Sequence, residues 1–141
     1  MRTFTEITAR EARIAIDAIT AELARRGKTA VIAVADSHGE LIAFLRLEGA
    51  PLGSVAIAQN KAFTAGRRGE PSGNVGRGIR ADGWDIAYLG DPRYIGWDGG
   101  LPVLIDGTCA GAVAVSGLTG EEDTELAALG IQHILESLNK A

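Results

Sequence analysis

TAVIAVADSHGELIAFLRL, residues 29–47, is the stretch whose reading decides the fold. Thr29 to Ala35 is β-favouring and apolar almost throughout. Asp36-Ser37-His38-Gly39 supplies turn chemistry, and Glu40 to Leu47 continues as a second strand, so the stretch predicts a β-hairpin. A half-exposed strand alternates polar and apolar residues. The first strand here has no polar face, so it calls for helices on both sides of a sheet.

Working towards the N-terminus, Thr8-Ala9-Arg10-Glu11 reads as a capping box that opens a helix. Ala12, Ile16, Ile19 and Leu23 follow on one face at helical spacing, and Gly27 is the natural stop. Towards the C-terminus, Glu48-Gly49-Ala50-Pro51 breaks the second strand. Ser54 then caps a helix that runs to about Ala65, whose alanines predict close packing. A second hairpin is expected from Leu101 to Ile105, the turn Asp106-Gly107, and Cys109 to Ser116. Thr119-Gly120-Glu121-Glu122 is another capping box, opening a helix with Ala127, Ile131, Ile134, Leu135 and Leu138 on its apolar face. Two hairpins without βαβ alternation predict a mostly antiparallel sheet. Residues 66–100 stand apart: they hold ten of the 19 glycines and every tryptophan and tyrosine. They read as long functional loops with a short helix near Asn74 and a further strand near Tyr94 to Trp97.

With 141 residues, 46% of them hydrophobic and 23% charged, the chain fits one domain, 1–141, with an ordinary globular composition. A net charge of −4 argues against a nucleic-acid partner. No apolar run approaches the roughly 20 residues that a membrane span needs. The first sixteen residues, MRTFTEITAREARIAI, lack the apolar core of a secretory signal. Cys109 is the single cysteine, which rules out an intrachain disulfide and fits a cytoplasmic location.

Three segments, taken in order, resemble the GlcG/HbpS family, which also includes the C-terminal domain of PduO. The first is Ala33-Val34-Ala35-Asp36-Ser37-His38-Gly39-Glu40-Leu41 with Leu45-Arg46-Leu47-Glu48-Gly49-Ala50. The second is Ala58-Gln59-Asn60-Lys61-Ala62-Phe63-Thr64-Ala65. The third runs from Gly99-Gly100-Leu101-Pro102-Val103 through Gly111-Ala112-Val113-Ala114-Val115-Ser116-Gly117 to Asp123 and Leu126-Ala127. The match is poor between Arg67 and Asp98. The resemblance implies an α/β (α+β) fold, a profilin-like α/β/α sandwich with a five-stranded, mostly antiparallel sheet, and a homo-oligomer. It also implies a ligand-binding role, since some members bind haem while others accompany glycolate or diol metabolism.

The residues themselves offer binding chemistry. Lys61 and Thr64 share a face of the second predicted helix. A lysine leaving so alanine-rich a face suits either an anionic ligand or a structural carboxylate such as Asp36. For an anion-binding lysine, Lys61→Ala weakens ligand binding more than folding. Arg46, ending the second strand, is a second candidate for carboxylate recognition. Gly99 and Gly100 either permit a tight turn into a strand or aim backbone N–H groups at an anion. Trp84, Tyr88, Tyr94 and Trp97 could line a porphyrin slot or a lid, and the 66–100 segment is expected to wall the ligand site near Lys61. His38 is either a turn residue or a metal or haem-iron ligand, and Tyr88 and Tyr94 are acceptable axial ligands as well. Two histidines on different elements show no metal-ligand spacing, and Asp123 is either a helix-dipole residue or a pocket group. Gly76-Arg77-Gly78-Ile79-Arg80-Ala81 mimics a dinucleotide fingerprint but lacks the preceding strand. Two functions follow. One is a module binding a small anionic ligand, with haem as a candidate cofactor. The other is an enzyme acting on a small hydroxy- or oxo-acid, with Lys61, Arg46 and Asp36 orienting substrate.

Overall fold

The computed structural model describes residues 1–140. Helix α1 (Ala9–Arg26) leads into strands β1 (Val31–Ala35) and β2 (Leu41–Arg46). Helices α2 (Ser54–Arg68) and α3 (Gly73–Asp82) follow, then a 3₁₀ turn at Ile86–Leu89. Strands β3 (Gly100–Ile105) and β4 (Thr108–Ser116) and helix α4 (Gly120–Asn139) complete the chain. Local chemistry sets the ends of α1. Thr8 and Glu11 exchange both hydrogen bonds of a capping box, and Gly27 closes the helix at φ +66°, a conformation glycine adopts without strain. In α2 the expected cap is displaced: Gly53 is the capping residue, Ser54 lies inside the helix, and the helix extends to Arg68.

The sheet runs β2-β1-β4-β3, with every pairing antiparallel. All five residues of β1 are buried, as a strand without a polar face requires. Ile32 and Val34 point into a core shared with α1 and α4, where Ile19, Leu23, Leu126 and Ile134 are fully buried. Val31, Ala33 and Ala35 face the other way, onto Ala58 and Ala62 of α2. Alanine meeting alanine across this second face lets α2 lie close to the sheet. On α4, Ala127 and Ile134 are buried, but Leu135 and Leu138 of the expected apolar face are exposed.

The sheet has four strands rather than five. The expected strand at Tyr94 to Trp97 does not pair, because its backbone is committed elsewhere. Ile95 N–H donates to Thr64 Oγ1 at 3.0 Å, and Trp97 C=O accepts from Ser72 Oγ at 2.6 Å. Gly96 also lies against the backbone of Gly76 in α3, where a side chain would collide. The edge that a fifth strand would need is also protected. Gly100 turns its N–H and C=O outward to Ser72, so Pro102, two residues on, turns a nitrogen without a donor to the same side.

Candidate functional site

Lys61 leaves α2 on the face that packs against the sheet, and it is 3% exposed. Its path explains the glycine doublet. A Cβ on Gly99 would lie 2.6 Å from Lys61 Nζ and 2.6 Å from Val115 O, and one on Gly100 would lie 2.5 Å from Lys61 O. The two glycines therefore make room for the lysine itself. Their polar groups serve the fold: Gly100 N–H donates to Ser72 Oγ, and Gly99 C=O accepts from Val115 N–H. Lys61 Nζ donates to Val115 O and to Asp123 Oδ2, each at 3.1 Å. Asp123 sits in the first turn of α4, where its other oxygen accepts from Leu118 N–H at 3.1 Å. Burial pushes the Asp123 carboxyl above the usual carboxylate range, opposed by the Lys61 charge, the Lys61 hydrogen bond and the Leu118 N–H. Lys61 and Asp123 thus form a buried, neutral ion pair that ties α2 to β4 and α4.

This pair forms one wall of a cleft of about 530 Å³, which lies within the size range of small-molecule sites. Ser54 and Ser116 line it with them. Both serines are more than nine-tenths buried, and neither hydroxyl has a hydrogen-bond partner among the described residues. Lys61 has a third N–H beyond the two in use. The first turn of the twenty-residue α4 also borders the cleft. Asp123 N–H donates to Thr119 O and Glu122 N–H to Thr119 Oγ1, which leaves the N–H groups of Gly120 and Glu121 without an acceptor among the described residues. Pro51, Ile57, Leu118 and Trp97 supply the apolar lining, with Trp97 62% exposed. Asp98 completes the wall and pairs with Arg77 at 3.0 Å. Unspent hydrogen-bond donors and an apolar surface therefore share one cleft.

The residues singled out in the sequence divide into three groups. Lys61 and Trp97 line the cleft, with Gly99 and Gly100 packed behind the lysine. Thr64 and Tyr94 secure the approach to Trp97: Thr64 holds Ile95 N–H, and the Tyr94 ring meets Phe63 edge-on at 5.0 Å. Asp36 and Arg46 lie outside the cleft lining. Asp36 accepts from His38 N–H and Glu40 N–H within its own turn, and Arg46 is exposed at the end of β2. The carboxylate that meets Lys61 is Asp123. Of the 66–100 segment only Trp97 and Asp98 reach the cleft, while Trp84 lies over Gly78 and Tyr88 is exposed. His38 stands beside Glu6 and Asp36, with one potential ligand atom from each within 4.8 Å of the others. Glu6 is engaged there by Ser37 N–H and Ser37 Oγ, which pins the N-terminal segment to the turn. Ser54 and Ser116 went unnoticed in the sequence because each has an ordinary local role, as helix start and strand end.

The sequence model of the family described as "Haem degrading protein HbpS-like" matches residues 7–132. The chain belongs to this HbpS-like family. An uncharacterised 15.0 kDa protein from the dhaT-dhaS intergenic region of Citrobacter freundii is 30% identical over 123 residues, covering 86% of this chain and 87% of that protein. Protein GlcG of Escherichia coli K12 is 39% identical over 92 residues, covering 60% of this chain and 62% of GlcG. The crystal structure of a double mutant of Streptomyces reticuli HbpS superposes with a TM-score of 0.83 at 26% identity, covering 94% of this chain and 89% of that one. In this HbpS-like chain the three segments that carried the resemblance are the β1–β2 hairpin, the α2 turn bearing Lys61, and β3–β4 with the start of α4. The last two meet in the Lys61–Asp123 pair.

Proposed function

We propose that this chain is a small-molecule-binding protein that holds a carboxylate-bearing ligand in the cleft beside Lys61. One observation carries the reading. Ser54 and Ser116, each more than nine-tenths buried as residues, line the cleft with hydroxyls that have no hydrogen-bond partner among the described residues and so are free to donate to a ligand. A carboxylate at this wall has about four acceptor sites, matched by the two hydroxyls, the third Lys61 N–H and the free Gly120 N–H at the start of α4. Charge-assisted hydrogen bonds of this kind are the strong ones. Haem, with two propionates and a large apolar body, belongs to this class of ligand, and the family description supports testing it first. Self-association is part of the same reading. Leu104 and Leu135 are exposed along an apolar groove between β3 and α4, and a second copy of the chain is its proposed cover.

The test is a titration of the purified chain with haemin, followed by its absorption spectrum and by tryptophan fluorescence. It is run beside a Ser54→Ala/Ser116→Ala double variant. Binding by the parent chain, weakened about ten-fold or more in the variant at unchanged melting temperature, is expected, since each charged hydrogen bond contributes roughly 1.5–3 kcal/mol. Equal affinity in both proteins would place any ligand elsewhere.

A further inference from the structure

The charges around the cleft restrict the ligand further. Three charged side chains line it: Lys61, Asp98 and Asp123. Lys61 and Asp123 cancel each other at 3.1 Å, so the lysine brings no net positive charge. Asp98 is paired with Arg77 at 3.0 Å and so adds no net charge either, but it is the carboxylate and not the guanidinium that lines the cleft. The start of α4 offers two free N–H groups and the positive end of a helix dipole, about half an elementary charge. Glu121 and Glu122 stand in that same turn, Glu122 being drawn off by Arg26 and Lys28. The supply of donors is therefore generous, while the supply of net positive charge is small. One carboxylate can be hydrogen-bonded from several sides, but a second would meet Asp98 and the acidic first turn without a cation of its own. The remainder of the lining, Pro51, Ile57, Leu118 and Trp97, suits an apolar body and gives an indole face on which a flat one can stack.

We infer that the cleft selects a monocarboxylate carrying an apolar or aromatic body, and discriminates against ligands that must place two negative charges inside it. This rests on the reading of the cleft as the ligand site. Such a site recognises one carboxylate end of a larger ligand as readily as a small acid, provided that any second acidic group stays in solvent. Asp98 becomes a selectivity residue: it stands where a second carboxylate would have to sit.

Calorimetric titration of the whole wild-type chain with benzoate, phthalate, benzamide and acetate tests this. Phthalate adds one charge to the benzoate ring, benzamide removes the charge, and acetate removes the ring. Benzoate is expected to bind tightest, with each of the others roughly ten-fold weaker or more. In Asp98→Asn, which removes a carboxylate from the wall and frees the Arg77 charge, both anions should gain, phthalate several-fold more than benzoate. Phthalate binding as tightly as benzoate in the wild type, or gaining no more than benzoate in Asp98→Asn, would overturn the inference and leave the cleft standing as a general anion site. If none of the four acids and amides nor haemin binds, or if Ser54→Ala/Ser116→Ala binds benzoate unchanged, the ligand reading itself fails and this inference with it.

Discussion

Lys61→Met keeps an unbranched apolar stem, one atom shorter than lysine, and removes the charge and its three donors. The sequence suggests that losing Lys61 would harm ligand binding more than folding. The structure predicts a large effect on folding as well. Nζ holds Val115 O and Asp123 Oδ2 at 3.1 Å each, and both charged residues are at least 97% buried. After the substitution Asp123 keeps a single donor, Leu118 N–H, and Val115 O loses the lysine. Breaking a buried pair by removing one partner costs about 3–5 kcal/mol. The pH dependence identifies the cause. Burial already holds the Asp123 carboxyl above its ordinary range while Lys61 opposes the shift, so removing Lys61 moves it further up. A carboxyl whose folded pKa lies above its unfolded value, about 3.9, destabilises the fold as pH rises through the folded value, and this penalty is absent below the unfolded one. The deficit of Lys61→Met against the parent is therefore full at neutral pH and shrinks towards pH 4 as Asp123 takes up a proton. Urea denaturation at pH 7.5 and near pH 4, followed by circular dichroism, measures both stabilities. A deficit that is unchanged between the two pH values, or below about 1 kcal/mol at neutral pH, would refute the account of a buried and interdependent pair.

Gly99→Ala should be costly through backbone as well as space. Its φ of +129° disfavours a side chain, and the new methyl group would lie 2.6 Å from both Lys61 Nζ and Val115 O. A loss of about 3 kcal/mol in chemical denaturation is expected, and a loss under about 1 kcal/mol would contradict the close packing of the lysine. Self-association is checked by light scattering at micromolar concentration: a mass of two or more chains is expected, returning to one chain in Leu104→Lys/Leu135→Lys. A monomeric parent protein would remove the proposed cover of the β3–α4 groove.

The hairpins and the ends of α1 were legible in the sequence because their determinants are local. Asp36 caps its own turn, Thr8 and Glu11 satisfy each other, and Gly27 lies at the φ its position demands. The fifth strand was not legible because local propensity cannot say where a backbone group finds its partner. Tyr94 to Trp97 is β-favouring, yet Ile95 N–H is taken by a threonine 31 residues away and Trp97 C=O by a serine 25 residues away. Arg46 illustrates the same limit from the other side: it carries suitable chemistry at a strand end that the fold leaves exposed and outside the cleft.

Lys61 could be picked out as a cation on an alanine-rich face, but its consequence depended on Asp123, 62 residues later, which by itself reads as an ordinary helix-start acid. The glycine doublet was equally ambiguous, because glycine signals that something comes close without saying what. Here the approaching body is the lysine. Gly99 and Gly100 allow Nζ to reach Val115 O and Asp123, and Asp123 in turn neutralises the charge that the sequence suggests for binding an anion. On the proposed reading, recognition then passes from net charge to hydrogen bonds: the serine hydroxyls, the free N–H groups of α4 and the remaining lysine N–H. A neutral cradle holds one carboxylate by directional donors, where a bare lysine would attract polyanions without regard to shape. If the cleft is the ligand site proposed here, the same pair that ties α2 to β4 and α4 also sets what kind of anion it accepts.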